Sequence, residues 1–123
     1  MLKNSRILVV EDEPLVAMLI EDALLEAGAE IAGCAGTVGD ALRRIEEARI
    51  GEPIDAVVLD LNLAGETALP VADRLAALGV PFLIASGDGD GCDRGEHPDA
   101  PVVTKPFDLS EMIGSIRALC RQD

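Results

Sequence analysis

Short runs of β-branched and aliphatic residues alternate along this chain with stretches whose apolar positions recur at helical spacing, and no other feature constrains the fold as tightly. The runs are "RILVV" before Glu11, "EIAGCA" from Glu30, "DAVVL" from Asp55, "PFLIA" from Pro81 and "PVVT" before Lys105. The first and third are continuous apolar segments, the pattern of parallel strands covered on both faces.

The stretches between them carry readable helix starts and stops. Pro14 follows acidic residues and opens a helix with Val16, Leu19, Ile20, Ala23 and Ala27 on its inner face, stopped by Gly28. Thr37 and Asp40 form a capping-box-like start for a second helix, with Val38, Ala41, Leu42, Ile45 and Ala48 inward. A third is expected from about Glu66, with Val71, Ala72, Leu75 and Leu78 inward and Gly79 as its stop. The last begins at Asp108, has Glu111 three residues on, and buries Leu109, Met112, Ile116 and Leu119.

Strand–helix alternation with short connections calls for βαβ units and a parallel sheet. Five such strands fit an α/β, doubly wound, flavodoxin-like sheet of order 2-1-3-4-5. The rhythm fails once. Between Ser86 and Lys105, where a helix is due, the chain reads "GDGDGCDRGEHPDAPVVT". Helix four is therefore expected to be missing, short or disordered.

Composition narrows the partners. The length suits a single domain over residues 1–123 with no output domain, and a net charge of −13 argues against nucleic acid or an anionic membrane. Cys34, Cys92 and Cys120 are odd in number and lack metal-ligand spacing; with no signal peptide or long apolar run, they point to a reduced, cytoplasmic protein. "DGDGCD" is no EF-hand: counted from Asp88, the sixth and twelfth positions are Asp93 and Asp99 rather than glycine and glutamate. His97 has no partner at helical spacing and reads as a surface loop residue.

Sites in such sheets form at the carboxyl ends of the strands, near the point where strand order reverses. Glu11 and Asp12 follow the first strand, Asp60 ends the third with Asn62 two residues on, Ser86 ends the fourth, and Lys105 follows the fifth. Clustered carboxylates repel one another unless a cation sits among them, and a hard ion such as Mg²⁺ suits carboxylate and carbonyl oxygens. A lysine ammonium and a serine hydroxyl suit phosphate oxygens, and a central carboxylate can serve as the nucleophile that forms an acyl phosphate. The chain has eight arginines and two lysines, and its one interior lysine, Lys105, stands at a strand end among acids. Each residue also has a plainer use: Glu11 and Asp12 suit a first helical turn, Asp60 a loop opening, and Ser86 the turn before Gly87.

The segments "ILVVEDEP", "VVLDLNLAGE", "IASG" and "VVTKPF", in this order and spacing, resemble the receiver domain of two-component response regulators over essentially the whole chain. The resemblance implies that Asp60 is the phospho-acceptor, and that Glu11, Asp12, Asp60 and the Asn62 carbonyl form the Mg²⁺ site. It makes Ser86 the switch hydroxyl and Lys105 the phosphoryl-binding lysine, and it implies a cis Lys105–Pro106 bond. Two departures stand out. Val102 takes the place of the usual aromatic residue three positions before the lysine, and helix four is replaced by the glycine- and aspartate-rich stretch. Both, with Pro81-Phe82-Leu83-Ile84-Ala85-Ser86-Gly87-Asp88, resemble the FATGUY subgroup of single-domain receivers, whose signature is Pro-Phe-x-Phe-Ala-Thr-Gly-Tyr.

The resemblance implies a signalling protein. Asp60 would take a phosphoryl group from the phosphohistidine of a sensor histidine kinase, changing residues 88–107 and their contacts with a downstream protein or phosphotransfer partner. It would assist its own phosphorylation and slow hydrolysis, and would not be a turnover enzyme. One alternative is a pseudo-receiver that binds partners without phosphorylation. Another is a Mg²⁺-dependent aspartyl phosphatase, disfavoured because Asn62 stands where a second acid is needed.

Overall fold

The computed structural model describes residues 5–63, 65–86, 97, 100–104 and 108–120, apart from the side chains of residues 86 and 104. Its strands are β1 (Arg6–Val10), β2 (Glu30–Ala35), β3 (Ala56–Asp60), β4 (Asn62–Leu63), β5 (Glu66–Thr67), β6 (Phe82–Ser86) and β7 (Val102–Thr104). The helices are α1 (Pro14–Glu26), α2 (Val38–Ile50), α3 (Leu69–Leu78) and α4 (Leu109–Cys120). Five parallel strands form one sheet in the order β2-β1-β3-β6-β7. Counting those five alone, this is the doubly wound order 2-1-3-4-5 expected from the alternation of the sequence.

The apolar runs are continuous because the central strands are covered twice. Side chains alternate across a strand with a period of two. Ile7, Val9, Ala56, Val58, Leu83 and Ala85 therefore face one core with Ala17, Ile20 and Leu24 of α1 and Met112, Ile116 and Leu119 of α4. Leu8, Val10, Val57, Leu59, Phe82 and Ile84 face the other, with Ala41 and Ile45 of α2 and Val71, Ala72 and Leu75 of α3. Two aliphatic layers thus clamp the sheet and fix the carboxyl ends of β1, β3 and β6 beside one another.

The helix ends follow the expected signals. Thr37 Oγ1 accepts from Asp40 N at 3.1 Å, capping α2. Gly79, at φ 73°, ends α3 in the left-handed region that glycine enters without steric cost. Two expectations need correction. The chain from Asn62 to Thr67 is an antiparallel β4–β5 hairpin, pairing Asn62 with Thr67 and Leu63 with Glu66, so the third helix begins at Leu69 rather than near Glu66. On α1 the inner positions are Ala17, Ile20 and Leu24, flanked by partly buried Val16, Ala23 and Ala27, whereas Leu19 is 56% exposed. Between β6 and β7 only 97, 100 and 101 are described. The expectations about helix four, Lys105, Cys92 and the Lys105–Pro106 bond lie outside the described residues.

Candidate functional site

Three strand ends build the site. β1 stops at Val10, and Glu11 N donates to Ala35 O at the end of β2 (2.9 Å), so the turn into α1 leaves the sheet at a set height. Pro14 then occupies the first turn of α1, where its missing N–H costs nothing. Glu11 is only 3% exposed, and its Oε2 accepts from Glu13 N at 3.2 Å, which holds the carboxylate back over the strand end. Asp12, partly exposed, stands beside it.

Asp60 is the last residue of β3 and is 5% exposed. Its Oδ1 accepts from Asn62 N at 3.0 Å, which fixes the rotamer of the carboxylate. The Asn62 side chain turns the other way: its Oδ1 accepts from Gly65 N at 3.0 Å, across the hairpin. Gly65 has φ 90°, the left-handed region that a hairpin turn requires of glycine. Ala68 N donates to Leu61 O at 2.8 Å and Thr67 Oγ1 accepts from Leu69 N at 3.3 Å, so the hairpin is tied to the strand before it and the helix after it.

Glu11, Asp12 and Asp60 each place a carboxylate oxygen within 4.8 Å of the others. Three acids this close, two of them buried, form an all-oxygen donor set that fits a hard divalent ion such as Mg²⁺ better than a soft metal. Ser86 ends β6, the neighbour of β3, where Ala85 pairs with Asp60 and Ser86 with Thr104 of β7. The backbone of Ser86 is thus one residue along from the position level with the carboxylate; its side chain and Lys105 lie outside the described residues.

The hairpin that holds Asn62 and the Glu13 N–H that holds Glu11 were not expected. The first had a signal in the glycine of "LNLAGET", and the second is a backbone contact with no residue-type signature.

Among the described residues no helix is long and apolar enough to cross a membrane. Over 122 residues the chain is 39% identical to the transcriptional regulatory protein TcrA of Mycobacterium tuberculosis, covering 95% of this chain and 46% of that protein. It is 35% identical to the transcriptional activator protein IrlR of Burkholderia pseudomallei, again over 95% of this chain and 51% of the relative. The chain thus spans about half the length of these curated relatives. Among solved structures, SdrG from Sphingomonas melonis matches with a TM-score of 0.79 and 42% identity, over 94% of this chain and 96% of that one. The receiver domain of Erythrobacter litoralis PhyR matches at 0.80 and 28%, over 96% and 91%. The response regulator receiver domain model matches residues 7–117. With its five-stranded parallel sheet and acidic strand-end cluster, the chain belongs to the response regulator receiver domain family, the phospho-accepting signalling modules of two-component systems.

Proposed function

We propose that Asp60 accepts a phosphoryl group from the phosphohistidine of a sensor kinase, at a Mg²⁺ site made by Glu11, Asp12, Asp60 and the Asn62 carbonyl. The observation that carries this reading is the placing of three carboxylates within 4.8 Å at adjoining strand ends of a receiver-family chain. Bound magnesium supplies charge neutralisation between the carboxylates and the incoming phosphoryl oxygens. A carboxylate oxygen of Asp60 attacks phosphorus as the bond to the donor imidazole breaks, leaving an acyl phosphate. The Asn62 N–H, bonded to Asp60 Oδ1, keeps that carboxylate aimed. Ser86 and Lys105 hold the phosphoryl oxygens, and the 88–107 region changes its protein contacts in response.

The protein assists its own phosphorylation and slow hydrolysis without turning over a separate substrate. Its place among FATGUY-type single-domain receivers is supported by Val102 and by the frame from Pro81 to Gly87. Incubation with acetyl phosphate and Mg²⁺, followed by intact mass, tests the function. The native chain gains one phosphoryl group and Asp60→Asn gains none. Absence of any adduct on the native chain, with amide spectra unmoved by beryllofluoride, would favour a phosphorylation-independent interaction module instead.

A further inference from the structure

Away from the carboxylate cluster, two contacts of one residue join three parts of the chain: the segment before β7, α3 and the start of β6. His97 is the single histidine. Its Nε2 lies 2.7 Å from Asp73 Oδ1 on α3. Its ring meets the ring of Phe82, at the start of β6, edge-on: the centroids are 5.5 Å apart and the planes at 84°. The His97 side chain is 14% exposed although Asp73 is 63% exposed, so the imidazole is packed into the protein while its partner reaches in from the surface.

The contact lies just upstream of β7. His97 O accepts from Ala100 N at 3.1 Å, closing a turn, and Pro101 O accepts from Ile84 N at 2.9 Å, where β7 joins the sheet. β7 itself is short: it pairs with β6 through Ile84–Val102, Ala85–Val103 and Ser86–Thr104 and lies at the sheet edge. So few pairs hold an edge strand weakly, because local opening there breaks few bonds. A tether a few residues ahead removes chain freedom from the open state and so favours the paired one.

We propose that His97 is a positioning residue, latching the entry of β7 to α3 through Asp73 and to β6 through Phe82. In that role it sets how far the carboxyl end of β7 can move when a phosphoryl group sits on Asp60. The proposal rests on Asp60 being the phospho-acceptor, and it adds a residue remote from the reacting atoms to that reading. Loss of the latch leaves the three-carboxylate cluster intact, so metal affinity and phosphoryl retention separate.

The test uses the full chain and the variants His97→Ala, Asp73→Ala and Asp73→Asn, the last keeping an acceptor oxygen for the imidazole. Three quantities are read: Mg²⁺ affinity, amide exchange across Val102–Thr104, and the lifetime of the adduct formed with acetyl phosphate. Both alanine variants should exchange faster in β7 and shorten the lifetime roughly fivefold, the weight of one ordinary side-chain hydrogen bond. Mg²⁺ affinity should not change, and Asp73→Asn should behave as the native chain. Native exchange and lifetime in the alanine variants would overturn the proposal, as would a parallel loss of Mg²⁺ affinity, which marks a general folding role. If the native chain takes no adduct, the proposed function fails, and the exchange measurement alone decides whether the latch exists.

Discussion

On α2, Glu46 accepts from Arg74 of α3 through both carboxylate oxygens, at 2.9 and 3.1 Å, and Arg49 lies 3.0 Å away on its own helix. The Arg74 hydrogen bonds, then that from Arg49, hold the Glu46 carboxyl at about 2, against an ordinary 4.5. A carboxyl depressed by folding adds stability that is fully present above its ordinary value and is lost as pH falls toward its folded value. Native protein and Glu46→Gln should therefore differ in urea midpoint at neutral pH, modestly for so exposed a pair, and converge as the pH approaches about 2. A gap that persists unchanged in acid would contradict this. Cys34 shifts the other way: burial, then the nearby Glu21 charge, pushes its thiol up. Thiolate is the reactive form. Iodoacetamide at neutral pH, followed by peptide mass, should label Cys34 more slowly than a cysteine in an unstructured peptide. Neither shift was legible in the sequence, because one depends on α2 lying against α3 and the other on what covers β2.

Among the elements, α1 divides most sharply between what pattern reveals and what packing decides. From Leu15 to Ile20 every residue is apolar, so periodicity cannot choose a face. The sheet and α4 choose Ala17, Ile20 and Leu24, and leave Leu15, Met18, Leu19 and Leu25 more than half exposed. Leu24→Ala should cost about 2–5 kcal/mol in chemical unfolding, whereas Leu19→Ser should stay within about 0.5 kcal/mol of native. The reverse ranking would mean that the helix is rotated. The inward positions expected for α3 and α4, and those of α2 other than the half-buried Ala48, pack against the sheet because polar residues interrupt the apolar ones and leave a single face. Thr37→Ala removes the bond to Asp40 N and should cost about 1 kcal/mol. The β4–β5 hairpin escaped because two-residue strands are too short to show alternation, although Pro70 near the start of α3 marks where that helix begins.

At the scale of the whole molecule, strand order followed from the alternation because parallel strands need crossovers and crossovers need helices of these lengths. The gathering of Glu11, Asp12 and Asp60 followed from the order, since β1 and β3 are neighbours and strand ends share an edge. A chain of net charge −13 that concentrates three acids at one edge should gain stability from a bound cation by mass action. Added Mg²⁺ should raise the unfolding midpoint, and Asp12→Asn should remove most of that rise; an equal rise in both would place the ion elsewhere. Borohydride trapping reads the phosphoryl acceptor at the residue. The native chain is treated with acetyl phosphate and Mg²⁺, reduced with sodium borohydride, digested and sequenced by mass. An acyl phosphate on Asp60 would be reduced to homoserine at position 60 and at no other acid. Homoserine at a different aspartate, or none in a chain that carries a phosphoryl adduct, would contradict phosphorylation of Asp60.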